Sequence, residues 1–276
     1  MEDLTKSDES EFAEEVFSFP PVRIAVVAHK ENDWFQESVA SFANLNYSDK
    51  QLIVLATGQT EWVEPIVSQY FPDADILEVD PEAGLGANFN QVLNSSDEPA
   101  FYLFCHHDVA LAPDALRLMV EESYRSNAAV VGPKVVNWER PNELLDVGKG
   151  MNRFAVTVQR VEAGEIDQEQ FDSVEQVFAV SNTAFLVRSD LFKALGGFDE
   201  AMGMFGEDLD FCWRAQIAGG TIMIVPGAVA RHRDESGEYQ TNPKRSRLME
   251  RHRLRSILSN YGKVKVLPML LSLIHI

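Results

Sequence analysis

Cysteine, basic charge and long apolar runs are all scarce in this chain, and each scarcity excludes something. There are 2 cysteines, Cys105 and Cys212, in 276 residues. That is too few for a disulfide framework and fits a reducing compartment. Lys and Arg number 24 against 43 Asp and Glu, for a formal net charge of -19. A general nucleic-acid binder is excluded, because its affinity rests on basic surface. No apolar run reaches the roughly 20 residues of a membrane-spanning helix. The acidic opening MEDLTKSDESEFAEE has no apolar core of the kind a secretory signal carries.

What is present is ordinary globular material: 45% hydrophobic and 24% charged residues, enough chain for one large α/β domain. Residues 1–20 read as an acidic disordered tail. From residue 22 onward, apolar β-rich runs alternate with segments of helical spacing. Strands are expected over 22–29, 50–57, 74–80, 100–106 and 128–136. Helices are expected over 32–45, with Asn32 or Asp33 as N-cap, and over 61–71 and 112–127. GLGANFNQVLNSS, within 83–96, reads as a loop and helix, and it lacks the lysine and the glycine spacing of the common phosphate-binding loops. The alternation predicts a mostly parallel sheet with helices on both faces. In such sheets ligands sit beyond the carboxyl ends of the strands. Residues 137–180 break the pattern and are polar, with a helix expected in VEAGEIDQEQFDSVEQV. VFAV then resumes as a strand, followed by a turn, a strand, a helix ending at Gly196-Gly197, a helix over 207–218 and a strand to Val225.

Charge divides the chain. Residues 1–230 carry 14 Lys and Arg against 39 acids, and residues 231–276 carry 10 against 4. The basic part, PKRSRLMERHRLRS, leads into VKVLPMLLSLIHI. Two readings stay open for 236–276. It is either the cytoplasmic flank of a membrane segment that continues beyond residue 276, or an amphipathic helix packed on the domain.

Two constellations could carry chemistry. In FCHHDVAL, His106, His107 and Asp108 stand where a buried strand ends, as a metal or proton site or as an ordinary loop entrance. In GEDLDFCWRA, Glu207, Asp208 and Asp210 open a helix, where acids also serve simply to complement the helix dipole. Arg214 could hold a phosphate or a salt bridge, and His232, in ARHRD, stands at a strand edge.

Taken together and in order, RIAVVAHKEND, GLGANFNQVL, FYLFCHHDVALAPDAL, GPKVVN and VSNTAFLVRSDLFKALGGFDEAMGMFGEDLDFCWRAQIAGGTIMIVPGAVARH resemble the family 2 glycosyltransferases of GT-A fold. The resemblance covers roughly 22–235, so the GT-A domain is placed at 21–235. It implies an inverting transfer of a sugar from a nucleotide-diphospho-sugar to a hydroxyl acceptor. In the family, an acidic strand-end motif holds a divalent metal, Mn²⁺ or Mg²⁺. The motif maps onto His106-His107-Asp108, with Asp108 as its acid, His106 in place of the first carboxylate and His232 closing the site. The family's acid pair maps onto Glu207-Asp208, with Asp208 as general base. The acid that reads the nucleotide base at the end of the second strand is replaced by Ala56-Thr57. Donor binding is therefore expected from His29, Glu31 and Asn32, with His107 and Asn88. On the membrane reading, the basic segment further places the domain at the cytoplasmic face of a bacterial plasma membrane, where a glycan or lipid-linked acceptor of the cell envelope is expected. A nucleotidyltransferase would need a Gly-rich basic loop where AHKENDWF stands. A GT-A-like module that binds without catalysing is the remaining alternative.

Overall fold

The computed structural model describes residues 19–58, 60–95, 98–152, 154–234 and 243–262. Nearly all of the expected acidic tail and the whole apolar end lie outside the described residues. The chain runs through β1 (Val22–Ala28), α1 (Asp33–Ala43), β2 (Lys50–Thr57), α2 (Val63–Val67), β3 (Asp75–Val79), α3 (Leu85–Phe89), β4 (Phe101–His106), β5 (Val109–Leu111), α4 (Ala115–Ser126) and β6 (Val130–Asn137). It continues with β7 (Leu144–Asp146), β8 (Lys149–Met151), β9 (Thr157–Gln159), β10 (Glu175–Gln176), β11 (Ala184–Arg188), α5 (Ser189–Ala194), α6 (Glu207–Ile217), β12 (Ile222–His232) and α7 (Pro243–Asn260).

The main sheet has the order β10-β12-β6-β11-β4-β1-β2-β3, with β5 added to β12 and β7 to β6. β4, β1, β2 and β3 are mutually parallel, as are β6 and β12. β11 runs antiparallel between β4 and β6. The central strands read as continuous apolar runs because helices cover both of their faces. In β1, Ile24 and Val26 pack with Phe35 and Val39 of α1 and Leu116 and Met119 of α4. Their neighbours Ala25 and Val27 face the other way, onto a core with Phe89, Phe192 and Phe211. Asn32 is the N-cap of α1, its Oδ1 accepting from Phe35 N at 2.8 Å.

Several local expectations are corrected. The helix expected in 161–177 is a loop with only the two-residue β10. Its acids turn inward instead, Asp167 and Asp172 accepting from the buried Lys134 Nζ at 2.7 and 2.5 Å. VFAV forms no strand; Ala179 alone bridges Lys149. The helix of 83–96 divides into α3 and a 3-10 turn over Asn90–Asn94. The last strand does not stop at Val225 but continues to His232 past an irregularity between Val225 and Val229.

The described part of the basic segment, α7, packs on the domain. Ser256 Oγ and Asn260 Nδ2 of α7 donate to Asp210 Oδ1 at 2.9 and 3.2 Å. Arg255 pairs with Asp199, and His252 Nδ1 lies 2.5 Å from the Phe205 carbonyl. No helix among the described residues is long and apolar enough to cross a membrane.

Candidate active site

The carboxyl ends of β1, β2 and β4 are level, since Val27 pairs with His106 and Ala28 with Ala56. His29 and His106-His107-Asp108 therefore emerge together. The register of β5 with β12 sets His232 opposite Val109. That pairing places His232 Nε2 3.2 Å from Asp108 Oδ1, both side chains buried. One ligand atom each of His106, Asp108 and His232 lies within 4.8 Å of the other two. Four of the chain's 6 histidines converge here, the rings of His29 and His107 being 5.5 Å apart and those of His106 and His232 5.3 Å. Burial pushes the Asp108 carboxyl up, but the charge and hydrogen bond of His232, with His106 and His107 behind them, hold it well below the usual carboxylate range. Burial, then the charges of His107 and His106, lower His29 to about 4. Its Nδ1 lies 3.1 Å from Thr57 Oγ1 at the end of β2.

Across from this cluster, α6 begins with its acids. Gly206, at φ +100°, is its N-cap and turns the chain so that Glu207 and Asp208 face a cleft. Glu207 Oε1 accepts from Asn182 Nδ2. Asp208 Oδ2 accepts from Lys149 Nζ at 2.8 Å, and its Oδ1 accepts from Leu209 N at 2.7 Å. The cleft encloses about 860 Å³, counting the space open to solvent at its mouth, and His29, Asn88, His106, Asp108, Lys149 and Asp208 all line it.

Residues 20–258 match the family described as "Glycosyltransferase like family 2". The chain belongs to that family. Among curated proteins, the chain is 26% identical over 132 residues to the pre-mycofactocin glycosyltransferases of two Mycobacterium tuberculosis strains, CDC 1551 / Oshkosh and H37Rv. The match takes in 48% of this chain and spans only about a quarter, 26%, of those relatives' length. Among solved structures it resembles GalNAc-T7, crystallised with UDP, GalNAc and Mn²⁺, at TM-score 0.63 and 11% identity, over 77% of this chain and 44% of that one. S. aureus TarS follows at TM-score 0.60 and 16% identity, over 91% and 42%. These likenesses show the fold, which is GT-A.

The glycosyltransferase fold brings together most of the residues singled out from the sequence. His106, Asp108 and His232 form one cluster, and His29, His107, Asn88, Glu207 and Asp208 line the cleft beside it. Glu31 is exposed and does not line the cleft, and the Asn32 side chain is occupied as helix cap. Asp210 points away, into Arg214, Ser256 and Asn260, so it is no substitute for Asp208 as base. Arg214 is structural, donating to Asp210 and to the carbonyls of Leu195 and Gly197.

Sequence reasoning missed Lys149, Asn182 and the α7 residues Arg245 and Met249 on the cleft wall. One signal for Lys149 was present in Asp146-Val147-Gly148-Lys149. Asp146 Oδ1 accepts from Gly148 N at 2.6 Å, a tight Asx turn. Gly148 sits at φ +88°, and a Cβ there would lie 2.7 Å from Val177 Cγ1. Gly148→Ala is therefore expected to destabilise the domain by about 1–3 kcal/mol through backbone strain and overpacking, read by urea unfolding. An unchanged midpoint would contradict the strain.

Proposed function

We propose that this glycosyltransferase moves a sugar from a nucleotide diphosphate to a hydroxyl acceptor, inverting the anomeric carbon. The observation that carries the reading is a single cleft with a His-Asp-His cluster at one side and the buried Glu207-Asp208 pair at the other. The cluster fits a divalent metal: its ligand atoms converge within 4.8 Å, and two imidazoles with one carboxylate suit Mn²⁺ better than the all-oxygen preference of Mg²⁺. When bound, such an ion supplies positive charge against the diphosphate as it departs.

The chain's own residues do the rest. His29, His107 and Asn88 line the donor side. An acceptor hydroxyl placed at Asp208 gives its proton to that carboxylate, worth about 10²–10⁴-fold. The acceptor oxygen forms its bond to the anomeric carbon while the bond to the diphosphate breaks, and the electron pair leaves with the diphosphate. Glu207, fixed by Asn182, keeps the start of α6 in place. No covalent intermediate is needed. Thermal shift with a panel of nucleoside diphosphates tests the reading. Stabilisation is expected for one base, and only with Mn²⁺ added. No stabilisation by any nucleotide would contradict it.

The acceptor is proposed to belong to cell-envelope glycan or glycolipid, reached from the cytoplasmic face of the membrane. What supports membrane contact is the charge of α7, whose Arg247 and Arg251 are exposed. Arg253 and Arg255 are engaged with Glu250 and Asp199, while Lys263 and Lys265 lie outside the described residues. Each basic residue near an anionic surface contributes about 1 kcal/mol. Arg247→Glu with Arg251→Glu is expected to lower sedimentation with anionic vesicles at least about tenfold, without changing nucleotide binding. Equal sedimentation of variant and parent would remove the support.

A further inference from the structure

We propose that Lys149 is a positioning residue for the transfer step, holding the Asp208 carboxylate while Asp146 keeps the ammonium balanced. The inference rests on the reading of Asp208 as base. Lys149 opens β8, and its backbone is pinned by bonds to Ala179 in both directions at 2.8 and 3.1 Å. The Asx turn at Asp146 and the left-handed Gly148 fix the direction from which its side chain departs. Its Nζ lies 2.8 Å from Asp208 Oδ2 and 3.9 Å from Asp146 Oδ2, and all three residues are buried. With Leu209 N on Oδ1, both oxygens of Asp208 have a partner and the plane of the carboxylate is set. Lys149 and Asp208 also line a second cleft, beneath α7.

Charge counting shows why a second carboxylate belongs there. Two carboxylates and one ammonium carry one negative charge, and a buried charge is costly unless paired. When the acceptor O–H bond breaks, its proton forms an O–H bond on Asp208. The acceptor's electron pair goes into the glycosidic bond, and the trio becomes neutral. A lysine with Asp208 as sole counter-charge would lose it at that moment. Lys149 keeps Asp146, so the proton transfer strands no buried charge.

The test is steady-state hydrolysis of a nucleotide sugar with Mn²⁺, water serving as acceptor, beside calorimetry of the nucleoside diphosphate. Lys149→Met is expected to lower kcat about 10²-fold with donor KM changed less than about threefold. Lys149→Arg keeps the charge but not the reach, and is expected about tenfold below wild type. In the Asp208→Asn background, Lys149→Met is expected to add no further loss, because the two residues act as a unit. The proposal is overturned by an unchanged kcat in Lys149→Met, by a loss carried wholly in KM, or by the full loss recurring in the Asp208→Asn background. Should Lys149→Met not fold, Lys149→Arg decides: a tenfold lower kcat at unchanged KM supports positioning, and wild-type kcat overturns it. Wild-type protein that neither binds nucleotide nor hydrolyses donor would instead overturn the transferase reading itself.

Discussion

Asp208→Asn is expected to bind nucleotide and Mn²⁺ as the wild type does, yet to transfer sugar at least about 10³-fold more slowly, near the upper part of the range for a lost general base. The two halves of this result have separate causes. Asn keeps the shape of Asp, and the metal-side cluster of His106, Asp108 and His232 contains no residue of α6, so donor binding has no reason to change. The amide has no basic oxygen to receive the acceptor's proton. Nor does Asp210 take over, since its oxygens accept from Arg214, Ser256 and Asn260. The variant should remain folded because Lys149 retains Asp146 at 3.9 Å. Calorimetry and a transfer or hydrolysis assay on the same preparation check both halves. Near wild-type turnover would assign the base to another group, with Glu207 the other α6 carboxylate on the cleft.

Asp108→Asn should fail earlier in the cycle. Its carboxylate is the one acid in the His106-Asp108-His232 group, and an amide leaves two imidazoles with no negative charge to hold a divalent cation. Metal-dependent nucleotide binding is expected to fall by about 10²-fold or more, by analogy with the cost of altering a metal's immediate surroundings. Transfer should fall with it. Calorimetry of the nucleoside diphosphate at fixed Mn²⁺ reads the loss, and a thermal melt confirms the fold. Wild-type affinity in this variant would remove Asp108 from the metal site.

These two residues were visible in the sequence for a physical reason. VRIAVVA and FYLFCH are buried on both faces and so stand out as unbroken apolar runs, and an acid directly after such a run must lie at the sheet's carboxyl edge. The start of α6 was equally plain, three acids in four positions after a glycine. Lys149 was not, because residues 137–180 show no period of either kind and because its contact with Asp208 spans 59 positions. Strand direction was also hidden. Nothing local distinguishes β11, antiparallel between β4 and β6, from a parallel neighbour. The acids of 161–177 looked like a solvated helix because their partner, Lys134, comes from a strand some thirty residues earlier. Asn32 illustrates the competition between two uses of one residue: the same polar side chain that suited a donor contact closes the first turn of α1. The basic segment allowed two readings because composition alone does not say which surface an arginine meets. The bonds of Ser256 and Asn260 to Asp210, of Arg255 to Asp199 and of Arg253 to the Phe154 carbonyl, which join α7 to the domain, cannot be read from composition.

The central claim is that one cleft joins a metal-assisted donor site to a carboxylate base that drives inverting transfer. Its most direct test is ¹H NMR of the sugar first released from an α-linked nucleotide sugar by wild-type protein with Mn²⁺. The account predicts release of the β-anomer before mutarotation, abolished by chelation and absent in Asp208→Asn. Release of the α-anomer, or hydrolysis no faster in the wild type than in Asp208→Asn, would contradict it.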